Sequence, residues 1–315
     1  MSLYEEAEKI SLAGLEVYRF GFFVMLGMLA AAGVIGFLCW AKRVRKGTGP
    51  LLMLSAILLG GLFSRLGFCL MNQELGEMMP LASWGWITGG GWSMAGLVSG
   101  VLLAAWMTAR ITRQKAGLTL DIAACAIPAF LALERAGEGG SMDFDFSREL
   151  TTTFLNGTFL TFADEYGAYH LATWRLAAIL MLILVPVLIA DLTRSRRDGD
   201  TFLLFLLLFG FLTVMLESQR CDRFLSVHFV RLEQVLAAVT LAAGLIVLAV
   251  RADRRRKRLG IAAVVSVFLA AGIVVGLEFA LDRTTASKVL LYVAYFGVMA
   301  VPTVLGLLLR RAEKR

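Results

Sequence analysis

Residues 232–250 read LEQVLAAVTLAAGLIVLAV, and residues 251–258 read RADRRRKR. Beyond Gln234 the first stretch carries no charged side chain, and an apolar run of about 20 residues is long enough to cross a bilayer as a helix. The dense Arg and Lys run that follows is typical of the cytoplasmic flank of such a helix. An apolar span ended by positive charge is the pattern that recurs through the rest of the chain.

The composition extends this interpretation to the whole chain. Of its 315 residues 58% are apolar and 17% are charged, whereas soluble domains have about half and about a quarter. A soluble globular protein is therefore excluded, and an aromatic content of 10% argues against a disordered chain. The sequence predicts an all-α polytopic membrane protein.

Hydropathy predicts nine transmembrane helices, each close to the length that crosses a bilayer. We place them at about 18–40, 50–71, 87–109, 119–135, 172–191, 201–217, 232–250, 259–281 and 288–309.

Basic residues predict the orientation of these spans. They cluster after every second span: Lys42, Arg43, Arg45 and Lys46; Arg110, Arg113 and Lys115; Arg194, Arg196 and Arg197; the 251–258 run; and Arg310, Arg311, Lys314 and Arg315. Because cytoplasmic loops are enriched in Lys and Arg, the N-terminus is predicted outside and the C-terminus in the cytoplasm. The net charge of +7 then reflects membrane orientation, and no nucleic-acid partner is expected.

Two segments outside the spans carry expectations of their own. The acidic residues Glu5, Glu6 and Glu8 argue against a signal peptide, and we expect a short amphipathic surface helix before Tyr18. The segment 136–171 is rich in Phe and Tyr, which favours an extracytoplasmic cap resting at the headgroups; an ordinary small extracytoplasmic domain is the alternative. The Cys and His residues are scattered, so no metal or cofactor is expected.

Ionisable residues inside spans are costly and mark candidate functional sites. Most of those here fall on the predicted outer half of the membrane: Arg19, Arg65, Glu134, Arg135, Glu138, Arg175, Glu217 and Arg220. Several guanidinium groups at headgroup depth suit an anionic phosphate, which Arg binds in bidentate fashion. The alternative is that arginines at helix ends extend to the interface without binding a ligand, although Arg65 is too deep to do so easily.

Short motifs in a fixed order then indicate a family. They are Ile10-Ser11-Leu12 with Phe20-Gly21; Ser64-Arg65-Leu66-Gly67-Phe68; Gly89 to Gly96 with Leu97 and Val98; Asp121, Ala124, Pro128 and Leu133 leading to Arg135-Ala136-Gly137; and Phe209-Gly210, Glu217, Arg220 and Gln234. Together they resemble prolipoprotein diacylglyceryl transferase, the bacterial inner-membrane enzyme that lipidates prelipoproteins. The resemblance covers about residues 10–250, and the last two spans lie beyond the family's usual seven helices.

The resemblance implies a function and a set of site residues. The donor is phosphatidylglycerol, the acceptor is the lipobox cysteine of a prolipoprotein, and the location is the bacterial cytoplasmic membrane. Arg135 matches the family's headgroup-binding arginine, Glu217 and Arg220 its later Glu and Arg, and Arg65 the arginine of the second span. We accordingly divide the chain into a transferase-like core, 1–250, with segment 136–171 as its cap, and an addition, 251–315, formed by a basic loop and two helices.

The sequence also departs from the family pattern. The family's proposed base, a histidine, falls on Met94, and its asparagine after the span-4 arginine falls on Glu138. Further polar residues are replaced by Thr213, where the family has Arg, and by Phe20 and Phe209, where it has Tyr. A methionine cannot accept a proton, so we hypothesise that Glu138 replaces the base.

Three functions therefore stay open on the sequence alone. The first is the transferase, or a relative that uses phosphatidylglycerol on another acceptor, with Arg135, Glu138 and Glu217 catalytic and Arg65, Arg135 and Arg220 binding the lipid phosphate. The second is a non-catalytic homologue that binds anionic phospholipid or a lipoprotein precursor. The third is a transporter. The clustering of the intramembrane charges at one face of the membrane argues against it.

Overall fold

The computed structural model describes residues 9–12, 15–71, 91–139, 147, 149–150, 153–164, 166–195, 197–220, 226–227, 230–283 and 287–313. Within these ranges nine helices are long and apolar enough to cross a membrane. The chain is a multi-pass membrane protein, and the predicted all-α class and number of spans are confirmed. The predicted orientation of the termini stays a prediction.

The helices begin and end close to the predicted spans. They are α1 (Arg19–Ala41), α2 (Thr48–Met71), α3 (Met94–Thr112), α4 (Ala116–Glu138), α5 (Thr173–Arg194), α6 (Asp200–Glu217), α7 (Leu232–Arg251), α8 (Lys257–Arg283) and α9 (Lys288–Glu313). The predicted start of the third span, at 87, lies outside the described residues.

The prediction of an amphipathic helix before Tyr18 is wrong for the described residues of that segment. Strands β1 (Lys9–Leu12) and β2 (Leu15–Tyr18) form an antiparallel hairpin instead. The apolar residues here alternate with polar ones, as in Lys9-Ile10-Ser11-Leu12, and that two-residue period matches a strand and not a helix. The hairpin leads directly into α1 and places Arg19 at the start of that helix.

The chain folds into two compact units, the first comprising Met1–Gly199 with Arg220–Leu225 and the second Asp200–Gln219 with Ser226–Arg315. In the first unit α4 is the central helix. In its most apolar stretch 67% of the residues are buried, against 17% for α1 and 28% for α5. Helices α1, α3 and α5 pack against α4, and α2 packs against α3. The last turn of α4, which carries Arg135 and Glu138, is therefore surrounded by neighbouring helices.

The start of α3 is held tightly against α2. A Cβ on Gly96 would lie 2.3 Å from the carbonyl oxygen of Phe63, so only glycine allows this approach of the two backbones. Ser93 caps α3 by accepting a hydrogen bond from the Gly96 N–H. The Ser64 hydroxyl donates to the Ser93 carbonyl over 2.7 Å. These contacts fix Met94, the first residue of α3, relative to the Arg65 region of α2.

The second unit is built around α6, in whose most apolar stretch 72% of the residues are buried. Helices α7 and α9 pack against α6, and α8 packs against α7 and α9. At one end of this unit Nε of Arg310 donates to the Asp200 carbonyl over 3.0 Å. At the other end the short strands β5 (Ser226–Val227) and β6 (Val230–Arg231) form a hairpin that leads into α7.

The described part of segment 136–171 contains a small folded element. A 3-10 turn (Thr153–Leu155) is followed by an antiparallel hairpin of β3 (Thr161–Ala163) and β4 (Tyr169–Leu171). Phe154 and Tyr166 are 88% and 93% exposed, so aromatic rings do project from this hairpin region. Phe144 and Phe146, which contributed to the cap prediction, lie outside the described residues, and the cap role stays a prediction.

Candidate functional site

A buried arginine at the end of α4 is the centre of the candidate site. Arg135 is 8% exposed, and its three guanidinium nitrogens have different partners. Nη1 donates to Glu138 Oε1, one turn along the same helix, and Nε lies 3.6 Å from Glu134 Oε2. Nη2 is directed at the sulfur of Met94, 3.2 Å away at the start of α3. The guanidinium group is thereby held in one orientation between α3 and α4.

Glu138 joins this arginine to a second one. Its Oε2 lies 3.7 Å from Nη1 of Arg220, while its Oε1 accepts from Arg135. Only 9% and 10% of the two arginine side chains are exposed, so these charges are largely removed from water. Taken with Glu134, the cluster has two guanidinium and two carboxylate groups, and Glu138 sets the distance between the guanidinium groups.

The β3–β4 hairpin supports the backbone at Arg220. Arg220 pairs with Ser147 in an antiparallel bridge, and the Ser147 hydroxyl donates to the Leu171 carbonyl over 2.7 Å. The Ser147 carbonyl also lies 2.7 Å from Nδ1 of His170. Arg220 is therefore anchored by an element that is distant in sequence from α4.

Asp164 stabilises the turn of this hairpin. Its Oδ1 accepts from the N–H groups of Tyr166 and Ala168, and its Oδ2 lies 3.2 Å from Nε2 of His170. Partial removal of the carboxylate from water favours its protonated form, but the two N–H groups and the His170 ring outweigh that effect. The pKa of Asp164 is therefore lowered from its ordinary value.

Arg65 lies next to the chain segment that enters α3. It is 8% exposed, its Nη1 donates to the Gly91 carbonyl over 2.9 Å, and its guanidinium group stacks on Phe68, 5.3 Å from the ring centroid. Gly91 has a φ of +80°, and a Cβ there would lie 2.2 Å from the Phe68 ring. The glycine run recognised in the sequence thus provides a carbonyl partner for Arg65 three residues before Met94.

A cavity of about 300 Å³ lies beside the end of α4. It is lined by Arg19 and Arg175, by Trp174 and Phe159, and otherwise by small or aliphatic residues that include Ala136. Arg175 is fixed by its 2.8 Å bond to the Phe159 carbonyl and by cation–π contacts with Phe159 and Trp174 at 5.0 and 5.5 Å. Two cations beside an apolar wall suit a phospholipid headgroup and its first acyl carbons.

In the second unit Glu217 has a partner that the sequence analysis did not identify. Glu217, at the end of α6, is 3% exposed, and its Oε2 accepts from Nε of Arg231 over 2.7 Å. Arg231 is 6% exposed and immediately precedes α7. From sequence, a basic residue next to a span is indistinguishable from an ordinary interfacial one, so nothing distinguished Arg231.

The sequence-predicted residues are therefore distributed as follows. Arg135, Glu138 and Arg220 form one cluster with Met94 in the first unit. Arg65 contacts Gly91 and Phe68 in the same unit, and Glu217 pairs with Arg231 in the second. Among the described residues no group of three or more His, Cys, Asp or Glu side chains is arranged to hold a metal ion.

Comparison with known families agrees with the motifs quoted above. The family model for prolipoprotein diacylglyceryl transferase matches residues 8–250. The chain belongs to the prolipoprotein diacylglyceryl transferase family. No curated protein matches the chain.

Family membership defines the general activity and also marks a boundary. A prolipoprotein diacylglyceryl transferase is a membrane enzyme of lipoprotein biosynthesis that acts on lipid and prolipoprotein substrates. The match contains every predicted site residue and ends just before Arg251, the last residue of α7. Helices α8 and α9 lie entirely beyond the matched residues.

Proposed function

We propose that the protein transfers a diacylglyceryl group from phosphatidylglycerol to the lipobox cysteine of a prolipoprotein, at the outer face of a bacterial cytoplasmic membrane. The observation that carries the proposal is the bridging of Arg135 and Arg220 by Glu138 at the end of a buried spanning helix. Two fixed guanidinium groups in a partly water-excluded site are suited to a phosphate on which charge develops during reaction.

The proposed reaction is a displacement at carbon. The cysteine sulfur attacks the glyceryl carbon that carries the phosphate, a C–S bond forms, and the C–O bond breaks with its electron pair left on the phosphate oxygen. Glycerol phosphate departs, stabilised by Arg135 and Arg220. The thiol proton goes to Glu138, the carboxylate that contacts both arginines.

The other predicted residues have supporting roles in this proposal. Arg65 adds a cation beside the segment that leads into Met94 and contributes to phosphate binding. The cavity lined by Arg19 and Arg175, beside the end of α4, receives the donor lipid on its way to Arg135 and Arg220, with the acyl chains along the apolar wall. Glu217, paired with Arg231 in the second unit, is a further catalytic carboxylate in this proposal, as its match to the family motif implies.

A transfer assay tests the proposal directly. The purified full chain is mixed with phosphatidylglycerol in detergent micelles and a lipobox peptide, and the mass of the peptide product is followed. We expect the wild type to add a diacylglyceryl group to the cysteine. Arg135→Ala should lower the rate by about 100-fold or more, because a preorganised charge is removed from the leaving group.

Arg110→Ala is the matched control. Arg110 is an exposed arginine in the last turn of α3, stacked only on the Trp106 ring among its described contacts, and its loss should leave the rate unchanged. Equal rates for wild type and Arg135→Ala would contradict the assignment of Arg135. Absence of any adduct with the wild type would contradict the transferase proposal itself.

A second candidate is favoured by Met94. A thioether occupies the position of the family's histidine and contacts Arg135, which suits a protein that keeps the lipid site without the reaction. Such a homologue would bind anionic phospholipid or a lipoprotein precursor and form no product. Retained phosphatidylglycerol binding by native mass spectrometry, together with no adduct in the transfer assay, would favour this function over the first.

A further inference from the structure

Three buried polar side chains meet where α7, α8 and α9 pack together in the second unit. Nε2 of Gln234 donates to Glu278 Oε1 over 2.9 Å and to the Tyr295 hydroxyl over 2.5 Å. The three residues are 5%, 4% and 0% exposed. The Tyr295 hydroxyl also interacts with the Glu278 carboxylate, which closes a ring of polar contacts among the three helices.

Two of these residues come from outside the family match. Gln234 lies within residues 8–250, whereas Glu278 on α8 and Tyr295 on α9 lie beyond that range. Helices α8 and α9 are thus bonded to a residue inside the matched range by side chains that lie beyond it. Glu278 had a recognisable signal, because it is a carboxylate inside an otherwise apolar span.

The polar ring is continuous with the region of Glu217. Gln234 lies three residues after Arg231, the partner of Glu217. The Tyr292 hydroxyl, one turn before Tyr295 on α9, donates to the carbonyl of Ser218 over 3.4 Å, and Ser218 directly follows Glu217. The additional helices therefore contact both the end of α6 and the start of α7, the two places that hold the Glu217–Arg231 pair.

The chemistry of the ring fixes the Gln234 amide. A primary amide nitrogen has two N–H groups, and here both have partners on α8 and α9. The nitrogen of Gln234, and not its oxygen, therefore faces both Glu278 and Tyr295. A buried network in which every member is bonded holds its groups rigidly. A carboxylate buried in a membrane helix is costly, so its presence marks a candidate functional residue.

We propose that Glu278 and Tyr295 are positioning residues that hold the Gln234 amide in one orientation beside the Glu217–Arg231 pair, and so make α8 and α9 part of the substrate-binding machinery. This inference rests on the proposed transferase function. Helices α8 and α9 then act on the reaction through Gln234, and their polar residues do not touch the reacting atoms.

A double-mutant cycle tests whether the two residues act through Gln234. Tyr295→Phe removes only the hydroxyl, and Glu278→Leu removes the carboxylate. Each is made in the wild type and in the Gln234→Ala background, with kcat and KM measured in the transfer assay. We expect each to lower kcat about tenfold in the wild type, because a misplaced site group slows the chemical step, and to have no further effect once Gln234 is absent.

Two variants separate positioning from general support of the fold. Glu278→Gln keeps an oxygen that accepts from Gln234 and should retain most of kcat. Thr303→Val removes a buried hydroxyl on α9 that donates to the Met299 carbonyl of its own helix, and it should leave kcat unchanged. The melting temperature of every variant is measured in parallel, and Tyr295→Phe decides the outcome if Glu278→Leu does not fold.

Equal losses of kcat in both backgrounds, or no loss in either, would overturn the proposal. If the wild type forms no adduct, the transferase function fails and the same cycle is measured on the rise in melting temperature caused by phosphatidylglycerol. Non-additive changes in that rise would uphold positioning of Gln234 for lipid binding. Additive or absent changes would overturn it.

Discussion

Nη2 of Arg135 lies 3.2 Å from Sδ of Met94, across the contact between α4 and α3. The thioether is a weak acceptor and has no titratable proton, so Met94, which the motif resemblance places at the family's histidine, contacts the arginine proposed to bind phosphate without supplying a base. Glu138 contacts the same guanidinium group. In the proposed mechanism Glu138 therefore both accepts the thiol proton and organises the two arginines.

Glu138→Gln separates these two roles through the pH dependence of the rate. At pH 7 we expect the transfer rate to fall about 100-fold, the usual contribution of a positioned proton acceptor. A cysteine thiol ionises with a pKa of about 8.5, so above that pH the peptide needs no base. The deficit of the variant should therefore shrink between pH 7 and pH 9 if Glu138 is the base.

A deficit that stays constant over this pH range would show that Glu138 only organises the arginines. An unchanged rate at pH 7 would contradict both roles. Glu149→Gln is the matched control, because Glu149 is an exposed glutamate near the β3–β4 hairpin and its side chain has no part in the proposed mechanism.

Met94→His tests the histidine position directly. Met94 lies within contact distance of Arg135, and an imidazole there accepts a proton near neutral pH. We expect the double variant Met94→His with Glu138→Gln to transfer at least tenfold faster than Glu138→Gln alone. The reason is that general-base assistance contributes about 100-fold or more when a base is well placed. The measurement is the peptide adduct formed per minute by the single and double variants at pH 7. No recovery by a folded double variant would argue against proton acceptance at this position.

Arg175→Gln tests the cavity as the donor-lipid site. Losing one guanidinium group from a cavity that it shares with Arg19 should raise the KM for phosphatidylglycerol about tenfold, since a charged hydrogen bond contributes about 1.5 kcal/mol or more. The kcat should change less than twofold, because this cation is proposed to hold the lipid in the ground and transition states alike. Arg194→Gln, at the exposed far end of the same helix, is the control and should change neither value. A loss of kcat at constant KM in Arg175→Gln would contradict the prediction.

The nine spanning helices found in the described part of the chain were predictable because each is an apolar run with a charged flank, and that signal is local to the span. The strands β1 and β2 carried a local signal too, but a short alternating segment next to a membrane span competes with an amphipathic interpretation. Arg135, Glu138 and Arg220 were recognisable as charges at helix ends. The pairing of Glu217 with Arg231 and the contribution of Glu278 depend on which helices pack together, which no local pattern encodes.

The β3–β4 hairpin should make the thermal stability of the protein depend on pH through Asp164. The pKa of Asp164 is lowered by its N–H donors and by His170, so its ionised form stabilises the folded hairpin. That contribution is fully present above the carboxylate's unfolded pKa of about 4 and is lost as the pH falls through the lower folded value. Asp164→Asn should therefore lower the melting temperature at pH 7, and the difference from wild type should shrink as the pH falls below about 4.

Because the hairpin supports Ser147 and through it Arg220, Asp164→Asn should also reduce transfer at pH 7 more than Asp253→Asn, an exposed control between α7 and α8. A melting-temperature difference that is independent of pH would contradict the role assigned to the Asp164 carboxylate.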